Sequence, residues 1–199
     1  MWNLIKIFSF TLAFFACHSV YGQSANEKSP YQVELFDTPA AFHESLQHYR
    51  SQWLRLTGFE YSGLHWNQFI SVYTNTGEET YKNNYLQYIR WYEDPDDEEN
   101  EPVYTTYPEG AVILKENFAS ENGKPGMPIS VTAMIKRGNN YDPSNGNWEY
   151  LQFDPKGNIL LQGNSSNELV AETCANCHRH VDGRDYIFSQ IFSTLRSDE

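Results

Sequence analysis
Near the end of the chain, Cys174-Ala-Asn-Cys177-His178 constrains the fold more than any other stretch, because only 21 residues follow it. Two thiols three positions apart are spaced to add across the vinyl groups of one haem, and the histidine directly after them is placed to bind its iron. A chain that attaches haem there must build its pocket almost wholly from residues that come earlier. The expected cofactor is one covalent haem c, with Cys174 and Cys177 as anchors and His178 as the iron ligand.

Two other chemistries use such cysteines, and both fit worse. A redox dithiol normally follows a strand and opens a helix in a βαβ unit, and no such pattern surrounds the motif. A structural zinc ion needs four ligands, and the nearest supplement, His180, is too close in sequence to complete an ordinary tetrahedron.

The first residues, MWNLIKIFSFTLAFFACHSVYGQ, carry one cation, Lys6, then an apolar run from Ile7 to Ala16 and small residues before Gln23. This predicts a secretory signal peptide over 1–22, too short for a comfortable membrane span, and hence a periplasmic or secreted protein. Cys17 leaves with the peptide unless Phe-Phe-Ala-Cys is a degenerate lipoprotein box. The mature chain then keeps only the two cysteines of the haem motif, which suits an oxidising compartment where free thiols would pair. Losing Lys6 moves the formal charge from −12 to −13. Such acidity argues against nucleic acid and anionic membranes as partners and leaves room for a soluble redox partner. The acidic run at 93–102, EDPDDEENEP, lacks the turn glycine of a calcium loop and is expected to be a solvated loop.

Apolar residues at Phe42, Leu46, Tyr49, Trp53 and Leu56 recur at steps of three and four. With Thr38 as cap, Pro39 in the first turn and Gly58 beyond, they predict an amphipathic helix over 38–57. His43 and His48 fall on different faces of it and are expected at its surface or boundary. After Gly63, the segments QFISVYTN, YLQYIRWYE, GAVILKENF, ISVTAMIKRG, WEYLQFDPKG and NILLQG are rich in β-branched and aromatic residues, and clusters of Asn, Gly, Pro and Asp separate them. They predict five or six antiparallel strands, with turns at YDPSNGNW and DPKGN. The expected fold is mainly β, of the α+β kind: an antiparallel sheet, an N-terminal amphipathic helix, and short helical segments around the C-terminal motif. Residues 23–37 form an extension and 38–199 a single haem domain.

The late motif also bears on the sixth position of the iron. A small electron-transfer cytochrome takes a methionine from beyond its haem motif, whereas here the last methionine is Met134. Helical-bundle cytochromes place the motif late but need long helical periodicity. His180 lies on the wrong side of the haem plane, and His65 and Met134 are each more simply ordinary sheet residues. An open iron is therefore expected, which means small-molecule binding or chemistry set by the polarity and access of the pocket.

In order along the chain, YPEGAVILKENF (107–118), VTAMIKRGNNYDPSNGNWEYLQFDPKGN (131–158) and CANCHRHVDGRDYIFS (174–189) resemble the cytochrome P-460 family, whose relatives include cytochrome c-prime-beta. The resemblance implies a mostly antiparallel β fold, a homodimer and a five-coordinate c-type haem. P-460 members oxidise hydroxylamine, and the c-prime-beta relatives bind nitric oxide.

By that resemblance, Lys115 corresponds to the lysine that makes a third covalent link, to the porphyrin itself. The residues alone place Lys115 on one strand face with Ala111 and Ile113, an apolar setting costly for a protonated amine. A lysine on an edge strand, with its head reaching water, accounts for the same pattern. Glu116 faces the other way and is expected to be structural. A base within hydrogen-bond reach of the iron ligand is expected for hydroxylamine oxidation, and a pocket lined with Phe for gas binding.

Overall fold
Most of the predicted strands are present, and their alternation divides the protein into two cores. The computed structural model describes residues 36–39, 42, 46–65 and 67–189. The signal peptide, nearly all of the 23–37 extension, His43 and the segment beyond 189 lie outside the described residues. Five strands, β3 (Gln68–Thr74), β4 (Val112–Glu121), β5 (Lys124–Lys136), β6 (Trp148–Phe153) and β7 (Ile159–Gly163), pair antiparallel in chain order. Two short strands, β1 (Leu54–Arg55) and β2 (Glu60–Ser62), share the free edge of β3. The sheet thus has seven strands.

Successive side chains of a strand point to opposite faces. On β4, Val112, Leu114 and Phe118 enter one core with Tyr73, Val131, Ala133, Leu151 and Phe153, which Phe36, Leu46 and Tyr49 cover from the N-terminal side. Ile113 enters the other with Ile70, Val72, Met134, Trp148 and Tyr150, which Val170, Ala175 and Ile187 cover from the C-terminal side. The C-terminal motif therefore lies over one face of the sheet and the N-terminal segment over the other.

Two expectations are corrected. Of the predicted helix over 38–57, the described helical turn α1 is Tyr49–Gln52, and Trp53 is extended (φ −94°, ψ 156°). Leu54 and Arg55 then pair with Thr74 and Tyr73 of β3, and Leu56 N donates to Val72 O at 2.8 Å. Leu46 and Tyr49 are buried as the periodicity requires, but Leu56 crosses to the opposite core. The free edge of β3 offers backbone partners that a continuing helix would leave unpaired.

The segment 85–93, expected as a strand, belongs to a 16-residue helix, α2 (Glu78–Glu93). Gly77 enters it with φ 87°, and Glu78 and Glu79 sit in its first turn, where acidic groups oppose the helix dipole favourably. Tyr81, Asn84 and Tyr85 are its buried residues, at helical spacing. The density of tyrosines imitates a strand, yet Ile89 is the one β-branched residue between 85 and 93. Asn84 locks the helix to the chain beyond it, since its Oδ1 accepts from Thr105 N and its Nδ2 donates to Thr105 O, both at 2.8 Å. The acidic residues beyond Glu93 are exposed up to Glu99, as a solvated loop should be.

The turns obey their residue chemistry. Asp142 leads Pro143–Asn145 into Gly146 at φ 62°, and Asp154 Oδ1 accepts from Lys156 N and Asn158 N around Gly157 at φ 79°.

Candidate haem site
The haem motif rides on a short helical run. Asn167 caps its start, its Oδ1 accepting from Leu169 N at 3.0 Å and Val170 N at 3.3 Å. Glu168–Val170 passes through a wide π turn, Ala171–Ala175, into Asn176–His178, and a tighter turn, Arg179–Arg184, ends the run. Val170, Ala175 and Val181 are buried, and Cys174 packs against the same core. A π turn inserts one extra residue and so rotates the next helical turn about the axis, a device common at functional sites.

Between this run and the sheet lies a cavity of about 300 Å³ whose walls include Cys174, Cys177, His178, Lys115, His65 and Tyr150. A narrower space of about 60 Å³ shares His65, Lys115, Thr132 and His178 and is otherwise lined by Ile70, Val72, Ile113, Met134, Ile187 and Phe188. Both cysteines are free thiols. Among the described residues, no three His, Cys, Asp or Glu side chains converge on a single ion. A flat macrocycle, which would reach both thiols and His178 at once, suits this spread of donors better than a bare metal does.

Electrostatics favour neutral groups around the space. Burial pulls the amine of Lys115 from its ordinary value down to about 7, with Cys174 and Cys177 opposing the shift. Burial also lowers His178 to about 4 and His65 to about 3, and the amine of Lys115 adds to both effects. The Cys174 thiol is pushed up to about 11, again by burial. His178 Nδ1 stands 2.7 Å from Tyr186 O. A carbonyl only accepts, so Nδ1 carries the proton and Nε2 keeps its lone pair for a metal. The imidazole is further held edge-on by Tyr150 and Phe188, with ring centroids 5.9 and 5.3 Å away.

An antiparallel sheet with a Cys-x-x-Cys-His run packed over one face, and a lysine of that face in the same cavity, defines a class of haem proteins. The family description Cytochrome P460 matches residues 65–189, from His65 at the cavity wall to Ser189 after the motif, and the chain belongs to that family. It is thus a c-type haem protein with iron as its metal. No curated protein matches the chain.

The structure brings Cys174, Cys177, His178 and Lys115 around one cavity. Lys115 pairs with Val72 of β3 and Thr132 of β5, so it stands on a central strand. The edge-strand account of this lysine is thereby overturned, and its side chain lines the cavity. Glu116 points into the opposite core, as expected, where Tyr49 and Arg50 donate to Oε1 and Tyr73 to Oε2 at 3.3 Å.

His180 is exposed, and its Nδ1 donates back to Asn176 O at 3.0 Å. His48 is exposed too. His65 and Met134, which read in sequence as ordinary sheet residues, both line the narrow space. His65 comes after β2 on a single turn, Gly63–His65, with Nδ1 2.8 Å from Ser62 Oγ. Gly63, two positions before it, is the sequence mark of that turn.

Proposed function
We propose that this protein is a periplasmic or secreted oxidoreductase acting on hydroxylamine or a related small nitrogen species. In this proposal it carries one haem c per chain, bonded through Cys174 and Cys177, with His178 on the iron and Lys115 linked to the macrocycle. Export relies on the 1–22 leader, and the working form is a homodimer.

The observation that carries the proposal is the setting of Lys115, a central-strand lysine sharing a cavity with both cysteines and His178, with a pKa of about 7. A substantial neutral fraction at neutral pH supplies the free amine; joining its nitrogen to a ring carbon breaks one N–H and one C–H bond and releases two protons and two electrons, which in this proposal an external peroxide-class oxidant takes up. When bound, the haem supplies an iron position for a nitrogen ligand and an outlet for electrons. The chain's own groups hold it and orient what binds there. His178 is oriented by Tyr186 O. His65, held neutral at pH 7 by burial, stands at the cavity wall where it can hydrogen-bond a bound ligand, while its lowered pKa makes it a weak proton acceptor. Ile70, Val72, Ile113 and Met134 keep the narrow space dry, which strengthens each polar contact within it.

Peptide mass spectrometry and the ferrous absorption spectrum test this together. The expected results are one haem joining the Lys115 peptide to the peptide of Cys174 and Cys177, and a ferrous band displaced from that of ordinary c-type haem. A haem peptide never joined to Lys115 overturns the enzymatic proposal.

The apolar lining favours a second function, nitric oxide or gas binding without turnover. Hydroxylamine oxidation with an added electron acceptor counts against it.

A further inference from the structure
Immediately beyond the helical run, Asp185 and Tyr186 both adopt left-handed backbone conformations, with φ of 51° and 66°. Two consecutive L residues in this region are costly and persist only where the surroundings enforce them. Here the surroundings are dense. The Asp185 carboxylate receives Lys136 Nζ at 2.6 and 2.7 Å and Tyr107 N at 2.7 Å. Its main-chain carbonyl accepts from Trp148 Nε1 at 2.9 Å. Lys136 Nζ lies 4.8 Å from the centre of the Trp148 ring, and the Lys136 and Asp185 side chains are only 11% and 4% exposed.

Tyr186 is held as well. Its hydroxyl donates to Ser144 O at 3.3 Å, and its ring passes so close to Gly146 that an added Cβ would meet it at 2.6 Å. Lys136 belongs to β5, Trp148 to β6 and Tyr107 to the chain entering β4, so the turn is clamped to the sheet as well as to its own helical run, where Asp185 N and Tyr186 N donate to Asp182 O and Val181 O. What the clamp aims is the Tyr186 carbonyl, the acceptor for His178 Nδ1.

We propose that Asp185, clamped by Lys136, is a positioning residue that sets the hydrogen bond on His178 and, through it, how strongly His178 donates to the haem iron. This rests on the haem assignment above but not on the reaction. A well-aimed carbonyl on Nδ1 gives the imidazole anionic character, strengthens the iron–nitrogen bond and favours the ferric state. With the clamp loosened, the turn relaxes, the hydrogen bond lengthens and both effects weaken.

The experiment compares the full haem-loaded protein with Asp185→Asn, Lys136→Met and Lys136→Arg, with Asp182→Asn as an exposed control on the same segment. Two quantities are read without substrate: the iron–histidine stretching frequency of the ferrous protein by resonance Raman, and the reduction potential. Asp185→Asn and Lys136→Met are expected to lower the frequency and raise the potential. Lys136→Arg should restore both toward the original values, and Asp182→Asn should leave them in place. If Asp185→Asn does not accumulate with haem, the Lys136 pair decides on the same terms. Unchanged frequency and potential in the haem-loaded variants, or equal shifts in Asp182→Asn, overturn the proposal. Failure of wild type to oxidise hydroxylamine overturns the reaction proposed above and leaves this assignment standing.

Discussion

Lys115 and Glu116 are neighbours on β4, yet they serve opposite faces of the sheet: Lys115 lines the cavity beside His178, and Glu116 lies fully buried beneath Tyr49 and Arg50. One strand thus carries a partly buried amine with no carboxylate partner among the described residues on one side and a fully buried, satisfied carboxylate on the other. The two should respond to substitution in opposite ways.

Lys115→Met should stabilise the haem-free protein. In the unfolded chain the amine holds its proton up to about 10.5, and in the folded chain only up to about 7. The folded protein therefore gains stability as pH rises from about 7 to 10.5 and lacks that contribution below about 7. Methionine removes the penalty. The gain should be on the order of 2 kcal/mol at pH 7 and below, shrinking to little above pH 10.5. Urea unfolding of a form without haem, at several pH values, measures it.

Removing the Glu116 carboxylate should do the reverse. Glu116→Ala leaves the Arg50 guanidinium without its carboxylate and strips the Tyr49 and Tyr73 hydroxyls of an acceptor. A loss of about 3–5 kcal/mol is expected, against about 1–3 kcal/mol for Glu116→Gln, which keeps an acceptor oxygen. Denaturant midpoints at constant slope separate the two.

At the cavity wall, His65→Ala should leave haem attachment intact, because His65 is not one of the anchoring residues proposed. Hydroxylamine oxidation should fall by roughly 10-fold if the His65 imidazole orients the bound ligand by a hydrogen bond. Steady-state rates, set beside the haem spectrum of the same preparation, check this. Equal rates with an unchanged spectrum would assign the orientation of the ligand to another group.

Gly146→Ala should harm both the fold and haem loading. Gly146 has φ 62°, and an added Cβ would meet the Tyr186 ring at 2.6 Å and Asp185 Oδ1 at 3.1 Å. Backbone strain and overpacking each cost about 1–3 kcal/mol. The thermal midpoint and the haem content per chain are expected to fall together.

Much of the site was legible because its signals are local. Cys174, Cys177 and His178 are fixed by spacing within five residues. The opposite facing of Lys115 and Glu116 comes from the two-residue period of a strand, and the turns at Gly146 and Gly157 come from Asp-Pro openings and glycine. Where local signals conflict, the sequence misleads. Between 85 and 93 a high density of aromatic residues outweighed the helical spacing of Tyr81, Asn84 and Tyr85. Near 53–57 the apolar period ran on unbroken, although the free edge of β3 draws Leu54 and Arg55 into pairing.

By itself, the sequence determined the strand-rich fold class, the family resemblance, the Cys-x-x-Cys-His triplet and the face on which Lys115 lies. Only the tertiary structure decided that Lys115 stands on a central strand, that His65 shares its cavity, and that Asp185, paired with Lys136, adjoins the Tyr186 carbonyl bonded to His178. The physical reason is range. Dihedral preferences and side-chain periodicity act over a few residues, whereas the environment of an amine, an imidazole or a carboxylate is set by strands and turns far away in the chain. Lys136 and Asp185, 49 residues apart, meet only because β5 and the end of the haem segment are packed together.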